Sequence, residues 1–208
     1  MSTREPQQAV KGNQPRIRLA REDRLQQLLE VAWQLIRAEG SEALTLGRLA
    51  TQAGVTKPVV YDHFGTRSGL FAVLYQQYDA SQTALMDAAF ARSEATLAAR
   101  ATVIAVSYVD CVLHQGREIQ GVIAALTGTP ELEKLKNEYQ KLFINKCHVI
   151  LAPFTNGATL PAAALWAMLG AAEALSGAAA SGEITPGEAK DELFATIVAM
   201  VERSAAAE

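Results

Sequence analysis

The sequence predicts an all-α protein. Apolar residues recur at helical spacings of three and four through most of the 208-residue chain, and glycines and prolines divide this pattern into segments of helix length. No stretch of useful length shows the apolar–polar alternation of a half-buried strand. Half of the residues are hydrophobic, enough for one sizeable core or two smaller ones. We therefore expect a globular protein built from helices alone.

Residues 1–20 differ from the rest in composition. They mix Pro, Gly, Gln and Asn with basic side chains and lack helical periodicity, which predicts a flexible basic arm. Ten basic and seven acidic residues give residues 1–67 a charge of +3, whereas the whole chain has −3, so the remainder has −6. This asymmetry indicates a basic module joined to an acidic body, although scattered charge would produce the same balance.

The next part of the chain begins with a long helix and a short one. Helical spacing predicts the first over about 21–39, with Gly40 as its C-terminal cap. The second follows Thr45, whose hydroxyl is suited to capping a helix N-terminus, and Gly54 closes it. The two short helices that flank Gly54 have the spacing of a helix-turn-helix pair.

Thr56 is predicted to cap the third helix, which has Pro58 in its second helical position, where a missing N–H costs no hydrogen bond. Gly65 ends it. From Gly69 onward the pattern is helical almost to the end of the chain, with breaks at glycines and prolines. The predicted segments are at about 70–93, 95–115, 118–126, 131–152, 162–181 and 186–206.

In a helix-turn-helix pair the second helix enters the major groove of DNA. Such a helix needs an apolar face for docking, which Val60 and Phe64 supply, and a second face for phosphates and base edges. Helix starts, with their free N–H groups, also bind anions. The expected DNA contacts are Thr45, Thr56, Lys57, Pro58, Val59, Tyr61, His63 and Arg67.

The residue types on this second face suit different parts of a DNA duplex. Lys57 can reach a guanine edge or a phosphate, and Pro58 and Val59 offer apolar contact to a thymine methyl group. Tyr61 and His63 can donate hydrogen bonds to phosphate oxygens, which sets the register of the protein on the duplex. The segment therefore combines positioning contacts with contacts that read bases.

Several short motifs follow one another within residues 25–71. They are Glu39-Gly40, Thr45-Leu46, Leu49-Ala50, Ala53-Gly54-Val55, Thr56-Lys57, Tyr61, His63-Phe64, Arg67 and Leu70-Phe71. In this order they resemble the N-terminal domain of the tetracycline-repressor (TetR) family of transcriptional regulators. After the arm at 1–20, the resemblance implies a DNA-binding domain at 21–68 and a ligand-binding and dimerisation domain at 69–208.

The resemblance also implies a homodimer that mates through its last two long helices. Residues 162–180 are rich in Ala, Gly and Ser, which lets helix backbones approach closely, and the last helix can complete a four-helix bundle. Two recognition helices then predict a palindromic double-stranded operator. In this family repression is the commoner mode, and a small-molecule effector releases the DNA.

An effector pocket is expected among the helices of the body. The candidates are Tyr108, Cys111, His114, Tyr139, Phe143, Cys147 and Trp166, although plain core packing is an alternative for the aromatic ones. Cys111 and His114 share a helical face and leave a metal or thiol sensor open. Cys147 and His148 are adjacent and point in different directions, so at most one of them would join a shared site. We favour small buried thiols and partly exposed imidazoles, and we predict no metal and no cofactor.

The sequence disfavours an enzyme, because it contains no GxSxG, GxGxxG, Walker or HExxH spacing. No apolar run is long enough to span a bilayer, no signal peptide begins the chain, and the two cysteines lack CxxC spacing. We therefore expect a cytoplasmic protein without a membrane partner. The alternative function is a helical ligand-binding adaptor without specific DNA binding, which the polar and basic groups of residues 57–63 disfavour.

Overall fold

A computed structural model describes residues 20–114 and 117–206, with Arg117 described in its backbone alone. These residues form nine α-helices and no strand, so the all-α prediction is confirmed. Residues 1–19 of the arm predicted at 1–20, and residues 115 and 116 near the break between the segments predicted at 95–115 and 118–126, lie outside the described residues. The helices are α1 (Arg21–Glu39), α2 (Leu46–Gln52), α3 (Lys57–Phe64), α4 (Arg67–Arg92), α5 (Leu97–Leu113), α6 (Arg117–Leu126), α7 (Pro130–Leu151), α8 (Ala162–Ser181) and α9 (Pro186–Ala205).

Helix boundaries follow local hydrogen bonding. The start of α4 differs from the prediction by three residues, because the Thr66 hydroxyl accepts a hydrogen bond from the Gly69 N–H at 2.9 Å and caps the helix upstream of the predicted start. At α9 a full capping box forms: the Thr185 hydroxyl accepts from the Glu188 N–H, and the Glu188 carboxylate accepts from the Thr185 N–H.

The buried side chains form two clusters. The N-terminal cluster joins α1, α2, α3 and the first turns of α4, and it also takes in α6. Its residues from α6 are Ile119, Val122 and Leu126, each at most 3 % exposed. The sequence pattern assigned α6 to the body, but its apolar face packs against the helix-turn-helix part of the chain.

The second cluster is formed by the rest of α4 with α5, α7, α8 and α9. Helix α4 therefore contributes to both clusters, with Leu70 and Phe71 in the N-terminal one and Met86 and Phe90 in the second. Its 26 residues span roughly 39 Å at the usual rise per residue. Because α4 is one continuous helix that packs in both clusters, it connects the helix-turn-helix part of the chain to the body.

One buried hydroxyl in α8 is unsatisfied. Ser176 is fully buried, and its Oγ has no hydrogen-bond partner among the described residues. Ser176→Ala is therefore expected to raise the free energy of unfolding by about 1 kcal/mol, measured by urea denaturation, because the change removes an uncompensated polar group.

Ser204→Ala is the matched control for this substitution, since Ser204 is also buried but donates a hydrogen bond to the Met200 carbonyl at 2.9 Å. The control is expected to lower stability or leave it unchanged. A loss of stability in Ser176→Ala would mean that the Ser176 hydroxyl has a partner after all.

Candidate nucleic-acid interface

The turn between α2 and α3 fixes the angle of the helix-turn-helix pair. Gly54 has φ of +66°, the left-handed region that glycine adopts without strain, and the Val55 N–H donates to the Ala50 carbonyl at 3.0 Å. On α3 the side chains of Val60 and Phe64 are 0 % and 6 % exposed. The apolar docking face predicted for α3 is thus seated in the N-terminal cluster, and the opposite face is turned outward.

The outward face of α3 holds most of the predicted DNA contacts. Lys57, Pro58 and Tyr61 are exposed, and Val59 and His63 are half-buried. Tyr61 is 52 % exposed, although a large aromatic ring normally lies inside a core. A solvent-exposed face with a lysine, a phenol and an imidazole has the chemistry that phosphates and base edges require.

The two threonines predicted at helix starts behave differently. The Thr45 hydroxyl caps α2 by accepting a hydrogen bond from the Arg48 N–H at 3.1 Å, as predicted. Thr56 occupies the N-cap position of α3, but its side chain makes no capping hydrogen bond, so the predicted cap is wrong. The Thr56 hydroxyl is exposed and is not used by the helix it precedes.

Arg67 makes structural contacts that the sequence analysis missed. Its Nε donates to the Leu44 carbonyl at 2.8 Å and its Nη2 to the Ser41 carbonyl at 2.9 Å. The guanidinium also lies 4.9 Å from the centre of the Phe71 ring. Arg67 thus ties α4 to the turn before α2, while its phosphate contact stays a prediction.

Two arginines in the first turn of α1 act on a side chain of α3, which the sequence analysis also missed. Burial lowers the pKa of His63 from 6.5, and the charge of Arg21 lowers it further, against an opposing effect of Asp62 and a smaller lowering by Arg24. The charges of Arg21 and Arg24 therefore reach the imidazole. No spacing within the sequence relates α1 to α3 in this way.

The predicted effector residues separate into two groups. The rings of Tyr108 and Phe143 meet edge to face with their centres 5.1 Å apart. The ring centres of Tyr139 and Tyr75 are 5.7 Å apart. The Tyr78 hydroxyl lies 3.7 Å from the Cys111 Sγ. Tyr75 and Tyr78 come from α4 and were not among the predicted residues. The structure thus brings Tyr108, Cys111, Tyr139 and Phe143 together.

The other three predicted effector residues differ in their surroundings. Cys147 is fully buried in the second cluster, against which Tyr108 and Phe143 also pack. The side chain of His114 is 78 % exposed, with Nδ1 2.9 Å from the Asp110 carbonyl oxygen, and Trp166 is 46 % exposed on α8. His114 and Trp166 therefore face solvent, whereas Cys147 lies in the core next to the first group.

The two thiols are in apolar surroundings. Burial raises the pKa of Cys111 and raises that of Cys147 to about 12, so both are protonated at neutral pH. No group of three or more His, Cys, Asp or Glu side chains in the described part of the chain is placed to hold a metal ion. The geometry therefore offers no activated thiol at these two positions.

A cavity of about 450 Å³ lies between α1, α4 and α6. Within it the Trp33 indole N–H donates to the Gln77 side-chain oxygen at 2.8 Å. It contains none of the predicted effector residues. The lining residues are Trp33, Arg37, Gln77, Tyr78, Ser81, Glu118 and Ile119.

The family model described as "Bacterial regulatory proteins, tetR family" matches residues 28–74. The matched segment runs from α1 to the first turns of α4 and includes all of α2 and α3. It therefore contains the exposed face of α3.

Two curated relatives are similar to parts of the chain. Nucleoid occlusion factor SlmA of Actinobacillus pleuropneumoniae is 31% identical over 137 residues, 62% of this chain and 65% of SlmA. The HTH-type transcriptional activator FasR of Mycolicibacterium smegmatis is 36% identical over 67 residues, 32% of this chain and 31% of FasR. The chain thus matches slightly less than two thirds of the length of SlmA.

Solved structures share the fold over most of the chain. A tetR-family transcriptional regulator from Streptomyces coelicolor superposes with a TM-score of 0.64 at 20% identity, covering 91% of this chain and 85% of that protein. A second regulator from the same organism, SCO4454, superposes with a TM-score of 0.60 at 18% identity, covering 88% and 97%. The similarity extends beyond α4 into the body.

Proposed function

We infer that the chain belongs to the tetR family of bacterial regulatory proteins, and we propose that it is a homodimeric repressor of transcription. In the proposal it binds a palindromic DNA operator through residues 21–68 and is released by a small-molecule effector bound within residues 69–208. It acts in the cytoplasm and is not an enzyme. The observation that carries the proposal is the exposed face of α3, with Lys57 and Tyr61 turned away from the core.

A small-residue stripe on α8 supports the dimer. Ala163, Ala167, Gly170, Ala174 and Gly177 follow one another at spacings of three and four, and all are exposed in the single subunit. By length and composition alone α8 would pass for a membrane-crossing helix, with mean hydropathy of 1.3, yet its other face packs against the body. A second copy of α8 would cover the stripe, because small residues let two helices approach closely.

The two recognition helices of such a dimer reach successive major-groove faces when they are about 34 Å or a small multiple apart. An effector that favours another separation lowers affinity for the operator. The route for this coupling is the packing of α6 against the N-terminal cluster. A Cβ on Gly121 of α6 would lie 2.8 Å from the Ser41 Oγ, so the two backbones are in close approach there.

Selection against random duplex DNA tests the proposal. The recovered sites are expected to be palindromic, and Lys57→Ala and Tyr61→Ala are each expected to weaken binding about tenfold while leaving thermal stability unchanged. The reason is that both side chains are exposed and support no core contact. Binding is measured by fluorescence anisotropy across a salt series, and stability by thermal unfolding.

Lys134→Ala is the control for these variants, since the Lys134 side chain is 77 % exposed on α7, outside the matched segment. It is expected to bind the operator like the wild type. Unchanged DNA affinity in both α3 variants would overturn the operator-binding assignment. Failure to enrich any site would favour the adaptor function, in which the scaffold is kept without specific DNA binding.

The position of His63 predicts a pH dependence of operator binding. Because burial and then Arg21 lower its pKa below 6.5, the imidazole is neutral near pH 7 in the free protein. A DNA phosphate beside it would raise that pKa, so binding takes up a proton. Operator affinity is therefore expected to rise as the pH falls from about 8 to about 6 at constant ionic strength, and the rise should be smaller in His63→Gln.

The free energy of unfolding has the opposite pH dependence: protonation of His63 favours operator binding but disfavours the folded state. The unfolded state binds this proton more readily than the folded state, so the contribution of neutral His63 to stability is present above pH 6.5 and is lost as the pH falls through the lowered pKa.

His114→Gln is the control for the pH dependence of operator affinity, because His114 is exposed and distant from α3 in sequence. Equal pH slopes in the wild type and His63→Gln would exclude a phosphate contact by His63.

A further inference from the structure

Four helices of the body bring tyrosines and carboxylates together in one place. We call this group the tyrosine–carboxylate cluster. All four tyrosines are half-buried. The cluster consists of Tyr75, Tyr78 and Asp79 on α4, Tyr108 on α5, Tyr139 on α7 and Glu173 on α8.

Asp79 follows Tyr75 by four residues on α4, so the two side chains share one face of the helix. Its negative charge adds to the effect of burial in raising the pKa of Tyr75, Tyr78 and Tyr139, the last to about 12. The charge of the carboxylate therefore acts on three phenol groups from two helices. It is half-buried and makes no hydrogen bond or ion pair within the described residues.

Burial works against the charged form of the Asp79 carboxylate. Burial raises the pKa of Asp79, and the charge of Lys146 offsets this only in part. Lys146 itself is engaged elsewhere, because its Nζ donates to the Asp87 Oδ1 at 2.5 Å. A charged group kept in a place where it disfavours folding needs another reason to be there, and binding an opposite charge supplies one.

Glu173 and the tyrosine rings would also favour a positively charged ligand. Burial and then the charge of Glu173 raise the pKa of Tyr108, so a second carboxylate acts on the same group of rings. Glu173 accepts a hydrogen bond from the Gln140 side-chain amide at 3.0 Å, which is a neutral partner and leaves its charge in place. Aromatic ring faces attract cations, and the rings of Tyr75 and Tyr139 lie 5.7 Å apart.

We propose that the tyrosine–carboxylate cluster binds an organic cation, a quaternary ammonium or protonated amine joined to an apolar body. Asp79 supplies the counter-charge, the four tyrosines supply ring contacts, and Glu173 adds a second negative charge at the edge. The proposal deepens the proposed function, because it assigns the chemical class of the effector. The two carboxylates disfavour an anionic ligand, and a neutral ligand would leave Asp79 unpaired.

Two probes of nearly the same shape, one charged and one neutral, test whether binding depends on the positive charge. The (4-hydroxyphenyl)trimethylammonium cation and neutral 4-tert-butylphenol differ in one central atom and in charge. Isothermal titration calorimetry of the full chain without DNA is expected to show about tenfold tighter binding of the cation. In Asp79→Asn this preference is expected to disappear, and the variant should fold at least as well as the wild type because an unpaired charge is removed.

Asp110→Asn is the matched control, since the Asp110 carboxylate is already paired with Lys190 Nζ at 2.6 Å. It is expected to retain the cation preference. Equal binding of both probes by the wild type, or an unchanged preference in Asp79→Asn, would overturn the proposal. Operator binding is measured separately, without a probe. If the protein binds the cation but no operator, the repressor proposal is refuted and the cation site stands. If it binds an operator but shows no preference for the cation, the cation site is refuted and the repressor proposal stands.

Discussion

Gly69→Ala is expected to lower the free energy of unfolding by about 3 kcal/mol and to disorder the joint between α3 and α4. A Cβ at this position would lie 2.1 Å from the Phe64 carbonyl oxygen and 3.3 Å from the Phe64 carbonyl carbon. Both atoms belong to the backbone, so no side-chain rotation relieves the overlap. The Phe64 carbonyl also accepts a hydrogen bond from the Thr66 N–H at 2.7 Å, which holds it in place.

Gly47→Ala is the control for this substitution, because it makes the same chemical change inside a helix. A Cβ on Gly47 would meet the Lys57 Cε at 3.6 Å, an ordinary contact. The control is expected to stabilise the protein by up to about 1 kcal/mol, since alanine loses less backbone entropy than glycine in a helix. Urea denaturation followed by circular dichroism measures both variants. Equal stability of the two would contradict the close approach of Gly69 to Phe64.

Gly170→Leu is expected to convert the proposed dimer to a monomer and to reduce operator affinity about 100-fold, because a single recognition helix loses the second half-site. Gly170 is exposed on α8, and a Cβ there would meet no atom within 4 Å in one subunit. The isolated subunit therefore tolerates the larger side chain. Between two closely packed copies of α8 the same side chain would hold the backbones apart.

Sedimentation equilibrium measures the subunit mass of this variant, and thermal unfolding of the monomer shows that its fold is intact. Ala91→Leu on α4 is the control, because it adds similar bulk at an exposed position outside α8. It is expected to remain dimeric and to bind the operator like the wild type. A dimeric Gly170→Leu would place the interface on another surface.

Local features of the structure were predictable from the sequence. Apolar spacing alone predicted α1 at 21–39 and α8 at 162–181, and both boundaries are confirmed. The cap of Thr45 on α2 and the burial of Val60 and Phe64 on α3 were predicted in the same way. These features depend on residues three or four positions apart, which helical geometry places next to one another whatever the rest of the chain does.

The tertiary structure decided which helices meet. It placed α6 in the N-terminal cluster, committed Arg67 to the carbonyls of Ser41 and Leu44, and turned His114 and Trp166 away from the predicted pocket. Asp79 was not among the predicted residues, because nothing in its own helix distinguishes it from an exposed carboxylate.

The physical reason is the range of the interactions. Helical periodicity determines which side chains share a face, so the sequence by itself determined the helices, the Thr45 cap and the outward face of α3. Which face packs against which depends on the burial of apolar surface between segments far apart in the chain. The tyrosine–carboxylate cluster draws on four helices, and only their packing brought it together.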